Sequence, residues 1–291
     1  MEKIFFITGV FALAMLLRRA GLVREKHTGM LVRYVMWFSL PCLTLAAIGK
    51  LDLRHTHFDI AVIAWLVMLG GAALSYCAGR AARLGDKRLR SFMLTATFPN
   101  TGFLGYPFAY SLYGSAGLTY AVIYDQMGMF PLFITLGFIM AGGLESLTGA
   151  LRFPPLIALV AALALNVAGV PPSGYITAIL AGIGWTTLPL TIFIIGLKVR
   201  LGKVGDVKLV AWCLFLRMVV VPVILFLVFH LLGKSGLPYR VTLMESSMPP
   251  ALTTGILALQ YRLDEDLAVS CIGLGTLIAM ALFTIATLLP V

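Results

Sequence analysis

Thr97-Phe98-Pro99-Asn100-Thr101-Gly102-Phe103-Leu104-Gly105-Tyr106-Pro107 is an apolar stretch with a proline in its middle. A second stretch, Glu245-Ser246-Ser247-Met248-Pro249-Pro250-Ala251-Leu252-Thr253-Thr254-Gly255, repeats the pattern in the other half of the chain. Proline has no amide hydrogen and its ring collides with the carbonyl one turn earlier, so a helix through either stretch must kink or unwind. In a hydrocarbon environment the freed backbone groups survive only where protein or a water-filled cavity satisfies them. Two broken spans at matching positions therefore mark a binding site of the kind secondary transporters build at the bilayer midplane.

The surroundings fit a membrane. The 291 residues are 60% hydrophobic and only 12% charged, and the mean hydropathy is +0.98. These values lie far from those of soluble domains. Apolar segments of the length needed to cross a hydrocarbon core recur from end to end. They predict spans near residues 4–17, 29–49, 59–82, 91–111, 116–142, 153–170, 174–198, 207–232, 240–260 and 266–290. The first, Ile4 to Leu17, has its basic residues after the apolar run and no small-residue cleavage site, so it reads as a retained span and not a signal peptide. The polar intervals are too short to hold an extramembrane domain.

The net charge of +10 follows from topology and implies no nucleic-acid partner. Loops after the odd-numbered spans carry 16 Lys and Arg against 5 on the opposite side, with Arg217 inside the eighth span. The positive-inside bias then places both termini outside the cytoplasm of a multi-pass protein. An inverted repeat is legible too. Pro41 and Pro189 stand 148 residues apart, and Pro99 and Pro249 stand 150 apart. Five spans per half is an odd number, so the second half enters the membrane upside down relative to the first. The predicted fold is all-α and integral to the membrane: ten helices as two inverted five-helix repeats, 1–142 and 153–291, with proline-broken fourth and ninth helices that cross.

At such a crossing, half-helix N-termini offer partial positive charge and freed carbonyls partial negative charge. Asn100 presents an amide donor and acceptor there, or else serves as a local cap. Thr97, Thr101, Thr253 and Thr254 can contact a substrate, or bond back to their own backbone. Asp125 lies well inside the fifth span, where a carboxylate marks an ion or substrate path; a structural ion pair with Arg217 is the competing reading. Glu245, four residues before Pro249, is a second ion or proton site or an interfacial residue beside Arg240. Arg217 can clamp a substrate carboxylate through two hydrogen bonds, or snorkel and pair structurally. The helix-break residues are Pro99, Pro249 and Pro250.

Other chemistries lack support. His55 and His57 have no third ligand for a metal. Cys42, Cys77, Cys213 and Cys271 have no ligand spacing and read as small buried or lipid-facing residues. Protease, hydrolase and Walker motifs are absent, so neither an enzyme nor an ATP-driven pump is indicated. No cofactor is expected.

At Phe98 to Pro107, at Met248-Pro249-Pro250-Ala251 followed by Gln260-Tyr261-Arg262-Leu263-Asp264, and at Ser39-Leu40-Pro41-Cys42-Leu43, the chain resembles a bacterial member of the auxin efflux carrier family. The resemblance covers essentially the whole length. It implies a fold akin to bile-acid symporters and sodium–proton antiporters, with a scaffold of spans 1, 2, 6 and 7 and a transport domain of spans 3–5 and 8–10. It further implies an elevator-like movement, a homodimer, residence in the inner membrane, Asn100 as the crossover asparagine, and Tyr124 and Gln126 among the substrate contacts. The long cytoplasmic loop of the plant carriers is replaced by Gly143 to Arg152, which puts auxin itself in doubt. Small carboxylates such as malate and malonate are the implied substrates, moved by uniport or with protons. Sodium coupling through Glu245, and a ligand sensor that moves nothing, are the competing readings.

Overall fold

Proline and glycine punctuate an otherwise continuous run of apolar helix. The computed structural model describes residues 2–23, 25–48, 58–142, 154–170, 172–198 and 206–288. His55, His57 and the replacement loop from Gly143 to Arg152 lie outside these residues. The described chain is all helical: α1 (Glu2–Arg19), α2 (25–48), α3 (Phe58–Ala81), α4 (Asp86–Thr97), α5 (101–113), α6 (115–142), α7 (Pro154–Val167), α8 (Gly174–Trp185), α9 (Thr187–Lys198), α10 (207–231), α11 (Leu237–Ser246), α12 (Leu252–Gln260) and α13 (Glu265–Leu288). The turn between α5 and α6 is made by Gly114, at φ 69°, a backbone region open to glycine and costly for residues with a Cβ. Six stretches are long and apolar enough to cross a membrane by length and composition: His27–Ile48, Phe58–Ala81, Thr101–Gly142, Gly174–Leu197, Val207–Leu231 and Glu265–Phe283. The molecule is a multi-pass membrane protein.

Both proline breaks form, and they meet. Phe98 to Asn100 separate α4 from α5, and Ser247 to Ala251 separate α11 from α12. Pro99 and Pro250 face each other in a short antiparallel bridge. The Asn100 amide donates to the Pro249 carbonyl at 2.7 Å, and the Ala251 amide donates to the Phe98 carbonyl at 2.9 Å. Each break thus satisfies backbone groups that the other leaves open, as buried unwound chain requires. Away from the breaks, α1 packs on α9, and α7 and α8 pack on the second half of α2. Where α2 meets α9, Ser39 Oγ and Thr187 Oγ1 share a buried 2.6 Å hydrogen bond.

Polar clasps tie α3, α4, α10, α11 and α13 together at their ends. On one side the Arg88 guanidinium donates to Asp264 at 2.9 Å and reaches Asp206 at 3.8 Å. Its hydrogen bond to Asp264 raises its already high pKa further. The same Asp264 caps α13 by accepting from the Leu267 amide, and Asp206 caps α10 by accepting from the Leu209 amide. On the other side the Tyr239 hydroxyl of α11 donates to Asp59 of α3 at 2.6 Å. In the middle, Trp65 of α3 donates to the Met127 carbonyl of α6. Arg88→Ala is expected to lower stability by about 1 kcal/mol or less, because the pair is half exposed. The loss should shrink further at high salt, as thermal melts of detergent-solubilised protein would read. A salt-independent loss would contradict an electrostatic clasp.

Candidate functional site

The second half of each broken helix begins at the break, so the amide ends of α5 and α12 both point into the middle of the protein. Between the breaks, α2 and α6 lies a cavity of about 250 Å³. Its wall carries the polar residues Asn100, Thr101, Asp125, Gln126, Thr253 and Gln260. The rest is apolar: Phe103, Phe130, Phe133 and Phe138 with Met36 and Met129. A larger hollow, about 550 Å³, opens among α1, α2, α9, α12 and α13, with Arg18, Thr28 and Glu265 in its wall. The two share Leu252 and Ile256 of α12.

Asn100 sits at the start of α5 with its backbone fully used. Its carbonyl accepts from the amides of Leu104 and Gly105, and its own amide is spent on Pro249. The side chain makes no cap. Its Nδ2 is buried without a hydrogen-bond partner while the residue lines the cavity. That separates the two readings of this residue: the main chain shapes the turn, and the amide group is left for something else.

Asp125 is held by hydroxyls and an amide. Its carboxylate accepts from Thr101 Oγ1, from the Tyr106 hydroxyl at 2.6 Å and from Gln126 Nε2 at 2.6 Å. The local backbone explains this set. Residues 101–105 and 123–129 are π-helical, a wider winding that brings residues i and i+5 onto one face. Thr101 and Tyr106 are five apart and both reach Asp125. The ion pair with Arg217, the competing reading of both residues, does not form. Arg217, fully buried on a third π-helical turn of α10, donates instead to the carbonyls of Ser246 and Met248, at 2.8 and 3.2 Å. These are carbonyls that the second break releases, so the guanidinium braces the break from behind. Its Nη1 has no partner.

The remaining candidates divide. Thr253 and Pro99 line the cavity. Thr254 bonds back to the Ala251 carbonyl at 2.6 Å, and Thr97 meets Ser75 at 3.3 Å; neither lines it. Tyr124 is buried beside the site with its hydroxyl unpartnered. Pro249 and Pro250 shape the break. Glu245 is fully buried on α11, packed against the bare backbone of Gly105, with both carboxyl oxygens unpartnered. It is no interfacial residue. Two features escaped the sequence reading. Tyr106 stood in the quoted stretch without a role, although a hydroxyl one π-turn after Thr101 was the available signal. The phenylalanine cluster carried none, because aromatic residues abound in any membrane helix. Among the described residues no group of three His, Cys, Asp or Glu is placed to hold a metal.

Comparison with known proteins agrees with this architecture. A family model described as a membrane transport protein matches residues 1–149 and 143–287. An uncharacterized transporter of Methanothermobacter thermautotrophicus is 29% identical, covering 96% of this chain and 94% of that protein. Another, from Methanocaldococcus jannaschii, is 29% identical over 88% of this chain and 87% of its own length. Nothing in these matches points to an enzyme. A pair of mutually bridged helix breaks in a multi-pass membrane protein, and a family match over both halves of the chain, lead to one assignment: the chain belongs to the membrane transport protein family, the auxin efflux carrier family that its sequence resembles.

Proposed function

We propose that this protein is a secondary carrier for a small organic anion, bound at the meeting of the two helix breaks and moved by an elevator-like shift across the inner membrane. The observation that carries the reading is the buried Asn100 amide, which lines the cavity and has no protein partner. Buried polar groups are nearly always satisfied, and a carboxylate entering the cavity would satisfy this one. The nearby amide ends of α5 and α12 favour negative charge in the same place. Because the lining is mostly apolar, with Phe103, Phe130, Phe133 and Phe138 in it, it favours one carboxylate on an apolar body over a dicarboxylate such as malate or malonate, whose second charge would need further polar partners.

Ten spans in two inverted repeats are the topology in this reading, with both termini outside the cytoplasm. The contacts support it. Ser39 and Thr187 are bonded at a separation of 148, matching the proline offset. Pro99 bridges Pro250, and α1 packs on α9 much as α7 packs on the second half of α2. Equivalent positions meeting in pairs is the behaviour expected near a two-fold axis in the membrane plane. The clasped group α3–α6 and α10–α13 forms the moving body, and α1, α2 and α7–α9 form the scaffold that would pair in a homodimer. The cavity lies on the seam between them, with Val32, Met36 and Leu40 of α2 on the scaffold side. Leu252 and Ile256 stand between the cavity and the wider hollow, and so act as its inner gate.

The test is flux into proteoliposomes of labelled phenylacetate, indole-acetate, malate and malonate, wild type beside Asn100→Ala. Saturable flux, highest for a monocarboxylate, is expected, and the variant should lose roughly tenfold or more, the equivalent of one charge-assisted hydrogen bond. Absence of saturable flux for every compound would remove the carrier reading. Binding without flux would favour a sensor in its place.

A further inference from the structure

We propose that Glu245 is the residue that takes up a coupling proton, and that Asp125, hydrogen-bonded to the first π-turn, is a structural anchor. The inference rests on the carrier reading above and assigns its driving ion. Two buried carboxyls stand on either side of the same π-turn, Thr101–Gly105, in opposite circumstances. Asp125 has three donors converging on it, from Thr101, Tyr106 and Gln126. Such a set stabilises a carboxylate as an anion. Glu245 has none: both its oxygens are buried and unpartnered.

Its surroundings explain why. The carboxyl lies against Gly105, where any added Cβ would overlap it. The groups within electrostatic reach are Tyr106 at the start of α5, and Tyr124 and Asp125 on α6. None is a cation. Arg217 on α10 is directed at the Ser246 and Met248 carbonyls. On α3, Asp59 is engaged by Tyr239 two turns away at the far end of α11. His230 of α10 and Arg240 of α11 are exposed. A buried carboxylate with neither donor nor cation is costly enough to require neutralisation, and a proton supplies it. Glu245 is therefore a neutral acid in this conformation.

The step balances simply. When the second break is open to water, the Glu245 carboxylate accepts a proton from hydronium and water is released; on the other side the acid returns the proton to water. A monoanion and one proton travel together, so the loaded carrier adds no net charge. Glu245→Gln copies the neutral acid and cannot release a proton.

Wild-type flux should rise several-fold for each unit of acidification on the uptake side and ignore membrane potential. Residual flux through Glu245→Gln should be flat with pH and should respond to potential. A pH response that survives in Glu245→Gln and disappears in Asp125→Asn would overturn the assignment. So would wild-type flux that requires sodium or shows no pH response. A readout independent of transport is the carboxylic-acid C=O band in infrared difference spectra of solubilised protein. That band should be lost in Glu245→Gln and kept in Asp125→Asn; the reverse pattern refutes the proposal even where no flux is found, while an absence of flux with the expected band refutes only the carrier reading.

Discussion

Replacing Asp125 with alanine is expected to destabilise the protein by about 3–5 kcal/mol, the scale set by stranding three buried donors. Thr101 Oγ1, the Tyr106 hydroxyl and Gln126 Nε2 all donate to this carboxylate, and all three residues are buried. Alanine leaves each without an acceptor, and orphaned donors in a dry interior cost about 1–3 kcal/mol apiece before relaxation. Partial relief is available: Gln126 Nε2 lies 3.2 Å from the Tyr106 oxygen and can keep that bond. Thr101 begins α5 and Tyr106 ends its π-turn, so loosening them loosens the helix start at the first break. The variant should show a sharply lower melting temperature and poor monodisperse yield. Asp125→Asn keeps one acceptor oxygen and should fall between. Glu245→Ala removes no hydrogen bond and should be milder than either. A variant Asp125→Ala as stable as the wild type would mean that the carboxylate is not the anchor of this turn.

How much of this was written in the sequence depends on the kind of signal. The breaks were legible because proline acts locally: its missing amide unwinds a helix whatever surrounds it, and Pro99 and Pro250 do meet. The offset of 148 between Pro41 and Pro189 anticipated a separation that recurs in the Ser39–Thr187 bond. Partnerships inside the site were not legible. The sequence also offered a buried ion pair between Asp125 and Arg217, as the alternative to a functional role for each. The winding decided otherwise. π-helical turns at 101–105, 123–129 and 216–220 shift every later residue relative to ordinary helical spacing, so the i, i+4 rule used on a sequence misassigns faces at the positions that matter. Arg217 was drawn to freed carbonyls, which no residue pattern lists as ligands. For Glu245 an ion or proton site and an interfacial residue were both open, because the end of its helix could not be set from composition to within a turn; four residues separate a lipid headgroup from a buried acid.

Gly184→Leu is expected to abolish assembly, since it strikes a close helix approach in the proposed scaffold. A Cβ at Gly184 of α8 would lie 2.8 Å from the Leu43 Cα and 2.9 Å from its amide nitrogen on α2. Those are main-chain atoms and cannot swing aside. In a bilayer no hydrophobic force holds helices together, and small residues that let backbones touch supply the association energy. Alanine alone should cost about 1–3 kcal/mol by overpacking, and leucine should force α8 off α2 altogether. Gly182, two residues earlier on the same helix, has nothing within 4 Å of its would-be Cβ, so Gly182→Leu is the matched control. Yield and size-exclusion profile after solubilisation would read the difference, and equal behaviour of the two variants would refute the close-packing account. The consequence reaches the site through α2 itself. Val32, Met36 and Leu40 on that helix form the scaffold wall of the cavity, so a Gly184→Ala protein that still folds should carry a displaced wall. Its apparent affinity for substrate should weaken, although the substitution touches no cavity residue.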